Sequence, residues 1–238
     1  MLDVDGLLDR MAELNAADLY LKSPAPPTYK ISGQATPLDH PPIREDELEG
    51  LVSRMLRPRD QETFAKRNQV DFSYVLSDGS RFRGNCYRQR NAVAFVFRRI
   101  NTGVPTADEL GLPEILKDLA MERRGLVLVT GATGSGKSTT LAAMVDWRNE
   151  NSQGHIVTIE DPIEFLHPDK SCVVSQREVG ADVESYHDGL RAALRQAPDV
   201  LLMGEIRDRE AAEAALHLSE TGHLVLGTLH STNANQSV

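Results

Sequence analysis

Cysteine is almost missing from this chain: 238 residues hold two, Cys86 and Cys172, far apart and each in an apolar or mixed stretch. Two such thiols support neither a disulfide framework nor a zinc knuckle, and they fit a reducing compartment. Long apolar runs are missing too. Stretches such as Leu126 to Val129 fall far short of the roughly 20 residues that span a bilayer, so direct membrane insertion is not expected. The opening Met1-Leu2-Asp3-Val4-Asp5 is acidic, where a secretory signal is basic and then apolar. The expected location is therefore the cytoplasm, and Asn235-Gln236-Ser237 is taken as an accidental sequon. Positive charge is in deficit as well: 26 Lys and Arg against 35 Asp and Glu leave a formal charge of −9. Such a surface offers no basic track for a phosphate backbone, and a nucleic-acid partner is not expected.

What is present suffices for a core, with 40% hydrophobic residues in a length that suits two modest domains or one large one. Val4, Leu7, Leu8, Met11 and Leu14 recur at helical spacing, as do Leu48, Leu51, Val52, Met55 and Leu56. Val70, Phe72, Tyr74 and Leu76 alternate with polar residues up to an Asp78-Gly79 turn. Arg81 to Tyr87 and Ala92 to Arg98 follow as antiparallel strands. Residues 1–99 thus form a small α+β domain, and 100–113, with Asn101-Thr102-Gly103-Val104-Pro105, a linker. In 114–238 a short helix around Glu114 to Met121 precedes a new rhythm. Apolar runs at Leu126 to Thr130, His155 to Glu160, Cys172 to Gln176, Val200 to Met203 and Leu224 to Thr228 suit strands covered on both faces. Helices are expected at Lys137 to Arg148, Tyr186 to Arg195 and Arg209 to Thr221. The second region is α/β with a mostly parallel sheet.

Gly131-Ala132-Thr133-Gly134-Ser135-Gly136-Lys137-Ser138 matches G-x-x-x-x-G-K-[ST], between an expected strand and an expected helix, the context the motif requires. Its glycines let the backbone curl so that N–H groups point at the β- and γ-phosphates of a nucleotide. Lys137 supplies a point charge, Thr139 follows on the helix, and the Ser138 hydroxyl is placed for Mg²⁺. The bland alternative is a glycine-rich turn that happens to contain a lysine, and the flanking strand and helix disfavour it.

Two acidic segments end apolar strands, at the edge where open α/β sheets bind ligands. In Ile159-Glu160-Asp161-Pro162-Ile163-Glu164 a carboxylate could orient or deprotonate an attacking water. Glu164 is the candidate because Pro162 turns the chain past the strand, and the alternative is a solvated acidic loop. In Val200-Leu201-Leu202-Met203-Gly204-Glu205 the terminal Glu205 is the candidate acid on the Mg²⁺ side, with Gly204 where an aspartate is more usual. His223 and His230 flank the last apolar run. Seven extended residues separate them by roughly 23 Å, too far for one shared ion. His230 could contact the γ-phosphate, and His223 could equally be a hydrogen-bonded structural histidine. Arg81, Arg83, Arg98 and Arg99 lie on strands of the first domain as a solvated face, or as donors to a neighbour's nucleotide.

These boxes, with Gly204-Glu205-Ile206-Arg207 and Thr221-Gly222-His223 through Thr228-Leu229-His230, resemble the secretion and pilus ATPase superfamily. Ala17-Asp18-Leu19, Pro26-Pro27 and Arg81-Phe82-Arg83 extend the resemblance to the PilT/PilU retraction ATPases. Gln196-Ala197-Pro198-Asp199 and Asn233-Ala234-Asn235-Gln236 are similar to the PilU branch. The resemblance implies a PAS-like first domain, a RecA-like second domain, ATP and Mg²⁺ as ligands, and a homo-hexameric ring that drives pilus retraction at the inner face of the inner membrane. A membrane platform protein and a paralogous retraction ATPase would be its partners. By motif match it makes Glu164 the catalytic glutamate, Glu205 the Walker B acid, and His223 and His230 a histidine box. It places Arg83 and Arg98 where arginines act across a subunit boundary. Members continue past the histidine box into further strands and a helical domain, so this chain is expected to be a C-terminally truncated form. A pilus assembly or type II secretion ATPase, and an ATP-binding accessory subunit with little hydrolysis of its own, are the alternatives.

Overall fold

The computed structural model describes residues 2–100, 103–132 and 134–229, which fall into two units divided after Ile100. In the first unit a period of two meets a period near four. Strands β1 (Asp18–Lys22), β2 (Thr28–Ile31), β3 (Gln34–Pro37), β4 (Gln69–Val75), β5 (Arg81–Gln89) and β6 (Ala92–Arg99) form an antiparallel sheet in the order β3-β2-β1-β6-β5-β4. One residue in two faces the core: Leu19 and Leu21 on β1, Phe72 on β4, Phe82 on β5, Phe95 and Phe97 on β6. Helices α1 (Val4–Glu13), α2 (Glu45–Met55) and α3 (Pro58–Arg67) bring apolar stripes to the same cluster, among them Val4, Leu8 and Met11, then Leu48, Leu51 and Met55. The Asp3 carboxylate caps α1 by accepting from the Gly6 N–H. Asn68, with φ of 58°, ends α3 in the left-handed region.

Hydrophobic periods mark α1, α2 and β4 to β6 in the sequence, but not β1 to β3 or α3. Those three strands have five, four and four residues and run past Pro24, Pro26 and Pro27, too short and interrupted to display a period. Helix α3 has a single buried residue, Phe64, so no apolar stripe marks it.

The second unit holds α4 (Ile115–Ala120), β7 (Gly125–Thr130), α5 (Lys137–Asn151), β8 (Gly154–Glu160), β9 (Cys172–Glu178), α6 (Tyr186–Ala193), β10 (Val200–Met203), α7 (Arg209–Glu220) and β11 (Leu224–Leu229). Its five strands pair in parallel in the order β7-β11-β10-β8-β9. The apolar runs are continuous because both faces are covered. Val157, Ile159, Leu201, Met203 and Val225 pack toward α6 and α7, and Ile156, Val200, Leu202, Leu224 and Leu226 toward α4 and α5. Residues 103–113, expected as a linker, fold with this unit: Ala107 is buried and the Lys117 ammonium lies 2.6 Å from Asp108. Among the described residues no helix is long and apolar enough to cross a membrane.

A close approach in the first unit is Gly84 on β5, opposite Phe72 on β4. The Phe72 ring lies edge-on to Phe95 and Phe97, with centroids 6.3 and 5.8 Å away, and occupies the space a β-carbon on Gly84 would need. Replacing Gly84 with alanine is expected to destabilise this unit by about 1–3 kcal/mol through overpacking. Urea unfolding followed by far-UV circular dichroism measures it; an unchanged midpoint would show that the ring moves aside freely.

Candidate functional site

The C-terminal ends of β7, β8, β10 and β11 open into a cavity of about 400 Å³ in the second unit. One wall is the glycine loop. Gly134 and Gly136 have φ of 78° and 91°, a region that side chains with a β-carbon rarely adopt. A β-carbon on Gly131 would lie 2.7 Å from the Ser135 hydroxyl. This curl returns the loop onto α5, whose first residue is Lys137. Its ammonium donates to the Gly131 and Ala132 carbonyls, both at 3.0 Å, which fixes the cation within the loop although its side chain is almost wholly buried. Ser138 and Thr139 line the same cavity. Thr133 lies outside the described residues.

The opposite wall is acidic, and burial sorts its carboxylates. Glu160, the last residue of β8, is 8% exposed and accepts from the Thr158 hydroxyl at 2.6 Å and the Gln176 amide at 3.2 Å. Burial outweighs these bonds and holds its pKa above the ordinary carboxylate value. Asp161 and Glu205 share Arg207, at 3.2 and 2.7 Å. Glu164 is exposed at the cavity rim. The structure therefore brings Lys137, Ser138, Glu164 and Glu205 around one space, as the motifs suggested.

Gly204 now has a steric reason. A β-carbon there would approach the Glu160 Cα to 3.2 Å and the Ile159 carbonyl to 3.3 Å, so an aspartate would push β8 and β10 apart. The two strand ends are tied instead by Tyr186 of α6. Its buried hydroxyl donates to the Ile159 carbonyl at 2.6 Å and accepts from the Glu205 N–H at 3.0 Å. Thr228 of β11 adds a 2.6 Å bond to the Gly204 carbonyl. Sequence reasoning missed Tyr186, Gln176 and Thr228, because each sits inside a strand or helix pattern that burial alone explains.

His223 is not brought to this cavity. It precedes β11, at the end of the sheet opposite the glycine loop, roughly 20 Å away along the six-residue strand. Its Nδ1 lies 3.2 Å from the Leu218 carbonyl and 3.3 Å from the Thr221 hydroxyl, the hydrogen-bonded structural alternative. His230 lies outside the described residues. Arg83 and Arg98 are cross-strand neighbours in the first unit: Arg83 is 3.7 Å from Asp71, and the Arg98 Nε donates to the buried Asp18 carboxylate at 2.8 Å. An unforeseen histidine, His167, does line the cavity. Its Nδ1 lies 3.9 Å from Asp146 without a hydrogen-bond partner among the described residues, and burial pushes its pKa down to about 4.

Residues 95–238 match the family described as type II/IV secretion system protein. The chain is 45% identical to the type IV pilus ATPase PilU of Pseudomonas aeruginosa, over 100% of its own length and 62% of that protein's. To the PilT retraction ATPase of the same species it is 43% identical, covering 100% of this chain and 69% of the other. A crystal structure of the pilus retraction motor PilT with bound ADP superposes with a TM-score of 0.94 at 43% identity, over 100% of this chain and 69% of that one. The Legionella pneumophila ATPase DotB gives 0.85 at 30% identity, over 98% and 67%.

Burial of His167 makes stability depend on pH with a definite sign. Between the 6.5 of a free imidazole and the folded value of about 4, the unfolded chain binds a proton that the folded chain refuses. Stability therefore falls as pH drops through that window, by about 3 kcal/mol in full. Glu160, whose pKa is raised, acts oppositely, losing stability as pH rises above the ordinary carboxylate range. Denaturant unfolding between pH 7 and pH 4 should show a shallower loss for His167→Gln than for the unmodified chain; parallel curves would remove His167 as the cause.

Proposed function

The chain belongs to the type II/IV secretion system protein family, among its PilT/PilU-type pilus ATPases, and on that premise we propose that it binds Mg-ATP at Gly131 to Ser138 and hydrolyses it as a motor subunit of type IV pilus retraction. One observation carries this reading: the glycine loop with Lys137 and the carboxylates of Glu164 and Glu205 face one cavity at the C-terminal edge of a parallel sheet. The chain spans 62% of the length of the PilU relative, and the activity of the whole protein is proposed here with its partners: a homo-hexameric ring, an inner-membrane platform protein and a paralogous retraction ATPase, at the cytoplasmic face of the inner membrane.

The residues divide the work by chemistry. Main-chain N–H groups of the loop and the first turn of α5 would bind phosphate oxygens, and Lys137 would exchange its two loop carbonyls for β- and γ-phosphate. The Ser138 hydroxyl and the Glu205 carboxylate are oxygen donors on the same cavity, a set that suits Mg²⁺. When bound, Mg²⁺ offsets phosphate charge during transfer. Glu164, exposed at the rim, would orient the attacking water and accept its proton. By family likeness Arg83 and Arg98 would act on a neighbour's nucleotide, and His230 would contact the γ-phosphate. A second reading, a nucleotide-binding accessory subunit with little turnover, is favoured by the 2.7 Å pairing of Glu205 with Arg207, which engages the carboxylate with a cation of its own chain.

Two substitutions separate these readings. Lys137→Ala should weaken Mg-ATP binding at least about 100-fold in calorimetry, as expected for losing charge-assisted contacts to phosphate. Glu164→Ala should keep affinity within about twofold and lower kcat about 100-fold or more. Identical phosphate release by Glu164→Ala and the unmodified chain would leave the accessory reading standing; Mg-ATP uptake indifferent to Lys137→Ala would sink both.

A further inference from the structure

Glu164 stands on a segment with almost no regular secondary structure of its own, between β8 and β9. Its main-chain groups still need partners, and side chains of β9 supply them. The Ile163 N–H donates to Glu178 at 3.2 Å. The Phe165 carbonyl accepts from the Gln176 amide at 2.8 Å, and the His167 N–H donates to the Gln176 carbonyl oxygen at 2.8 Å. Gln176 thus grips the segment on both sides of Leu166, and its amide nitrogen also reaches Glu160 at 3.2 Å.

This set of bonds requires an amide. One end must accept from an N–H while the other donates to a carbonyl and a carboxylate, which an ionised acid cannot do and a hydroxyl is too short to span. Gln176 sits in β9 directly beside Thr158 of β8, the second donor to Glu160. The grip is therefore anchored in paired strands rather than in the loop. A segment held at three main-chain groups, on Ile163, Phe165 and His167, keeps its Cα positions, and a carboxylate fixed by its backbone needs only its own rotamer to be chosen.

We propose that Gln176 is the positioning residue of this site, clamping the main chain at Phe165 and His167, just past Glu164, so that the Glu164 carboxylate faces the cavity. The assignment rests on the hydrolytic reading above. It differs from a merely structural role in what it leaves alone: among the described residues, the glycine loop, Lys137 and Ser138 share no hydrogen bond with Gln176, so nucleotide affinity should not follow Glu164 when the clamp is cut.

Steady-state ATP hydrolysis and Mg-ADP binding of the full chain test this with two variants. Gln176→Ala should lower kcat about 10- to 100-fold, the range for a misplaced catalytic group, while KM for Mg-ATP and Kd for Mg-ADP stay within about twofold. In Gln176→Glu the new carboxyl faces Glu160, with Glu178 and His167 nearby, and it can replace the amide only when it carries a proton. Its kcat relative to the unmodified chain should therefore climb as pH falls from 8 to 6, whereas the same ratio for Gln176→Ala stays flat. An unchanged kcat in Gln176→Ala, a loss of kcat matched by loss of nucleotide affinity, or a flat ratio for Gln176→Glu each overturns the clamp. Failure of the unmodified chain to hydrolyse ATP overturns the hydrolytic reading, and this assignment with it, and is distinguished by needing no variant.

Discussion

Burying a parallel sheet on both faces leaves its polar residues almost nowhere to go except the strand ends. Strands β8, β10 and β11 carry side chains into two separate cores, so a carboxylate in mid-strand would be stranded without water or partner. At the C-terminal edge the covering helices begin rather than end, and their N-termini favour negative charge. The glycine loop before α5, the acids after β8 and β10 and the threonine near the end of β11 gather there for that one reason. Each chemical feature of the cavity inherits its location from the sheet.

The same burial that assembles the cavity also strains its electrostatics, and the fold answers with hydrogen bonds rather than ion pairs. Glu160 receives Thr158 and Gln176 but, among the described residues, no cation. The Tyr186 hydroxyl is used as donor and acceptor at once, and burial drives its pKa well above the phenolic value. Neutral groups of this kind lock strand ends together without bringing a charge out of water. At the rim charged pairs appear, where Arg207 meets Asp161 and Glu205 and solvent lowers both their penalty and their worth.

Much of this could be read from the chain alone, for physical reasons that also mark the limit. The glycine loop was legible because its function is in the main chain, and main-chain shape is written in glycine spacing. Glu164 and Glu205 were legible because an acid that closely follows a buried apolar strand must meet solvent, a cation or a ligand. Gln176, Tyr186 and His167 were not, since their roles depend on which strand lies beside which, and β9 pairing with β8 rather than β10 has no sequence signal. For His223 the sequence left a structural role open beside a catalytic one, and its Nδ1 lies by Leu218 and Thr221. Flanking a strand places a residue at one of its two ends, and only the parallel direction of β11 assigns it to the end away from the loop.

The charge balance of the cavity bears on how a polyanion could enter it. Glu160, Asp161, Glu164 and Glu205 face Lys137 and Arg207, four carboxylates against two cations, in a chain that is already acidic overall. A triphosphate approaching that set would be repelled unless some negative charge were withdrawn. Two withdrawals are built in. Burial raises the pKa of Glu160, which lowers the cost of protonating the acid nearest the sheet. Arg207 already shields Asp161 and Glu205 together. A divalent cation held at Glu205 would compete with Arg207, whose guanidinium also bonds Asp161 at 3.2 Å. The acidic wall is thus less a barrier than a set of carboxylates whose charge is partly offset, by burial at Glu160 and by Arg207 at Asp161 and Glu205.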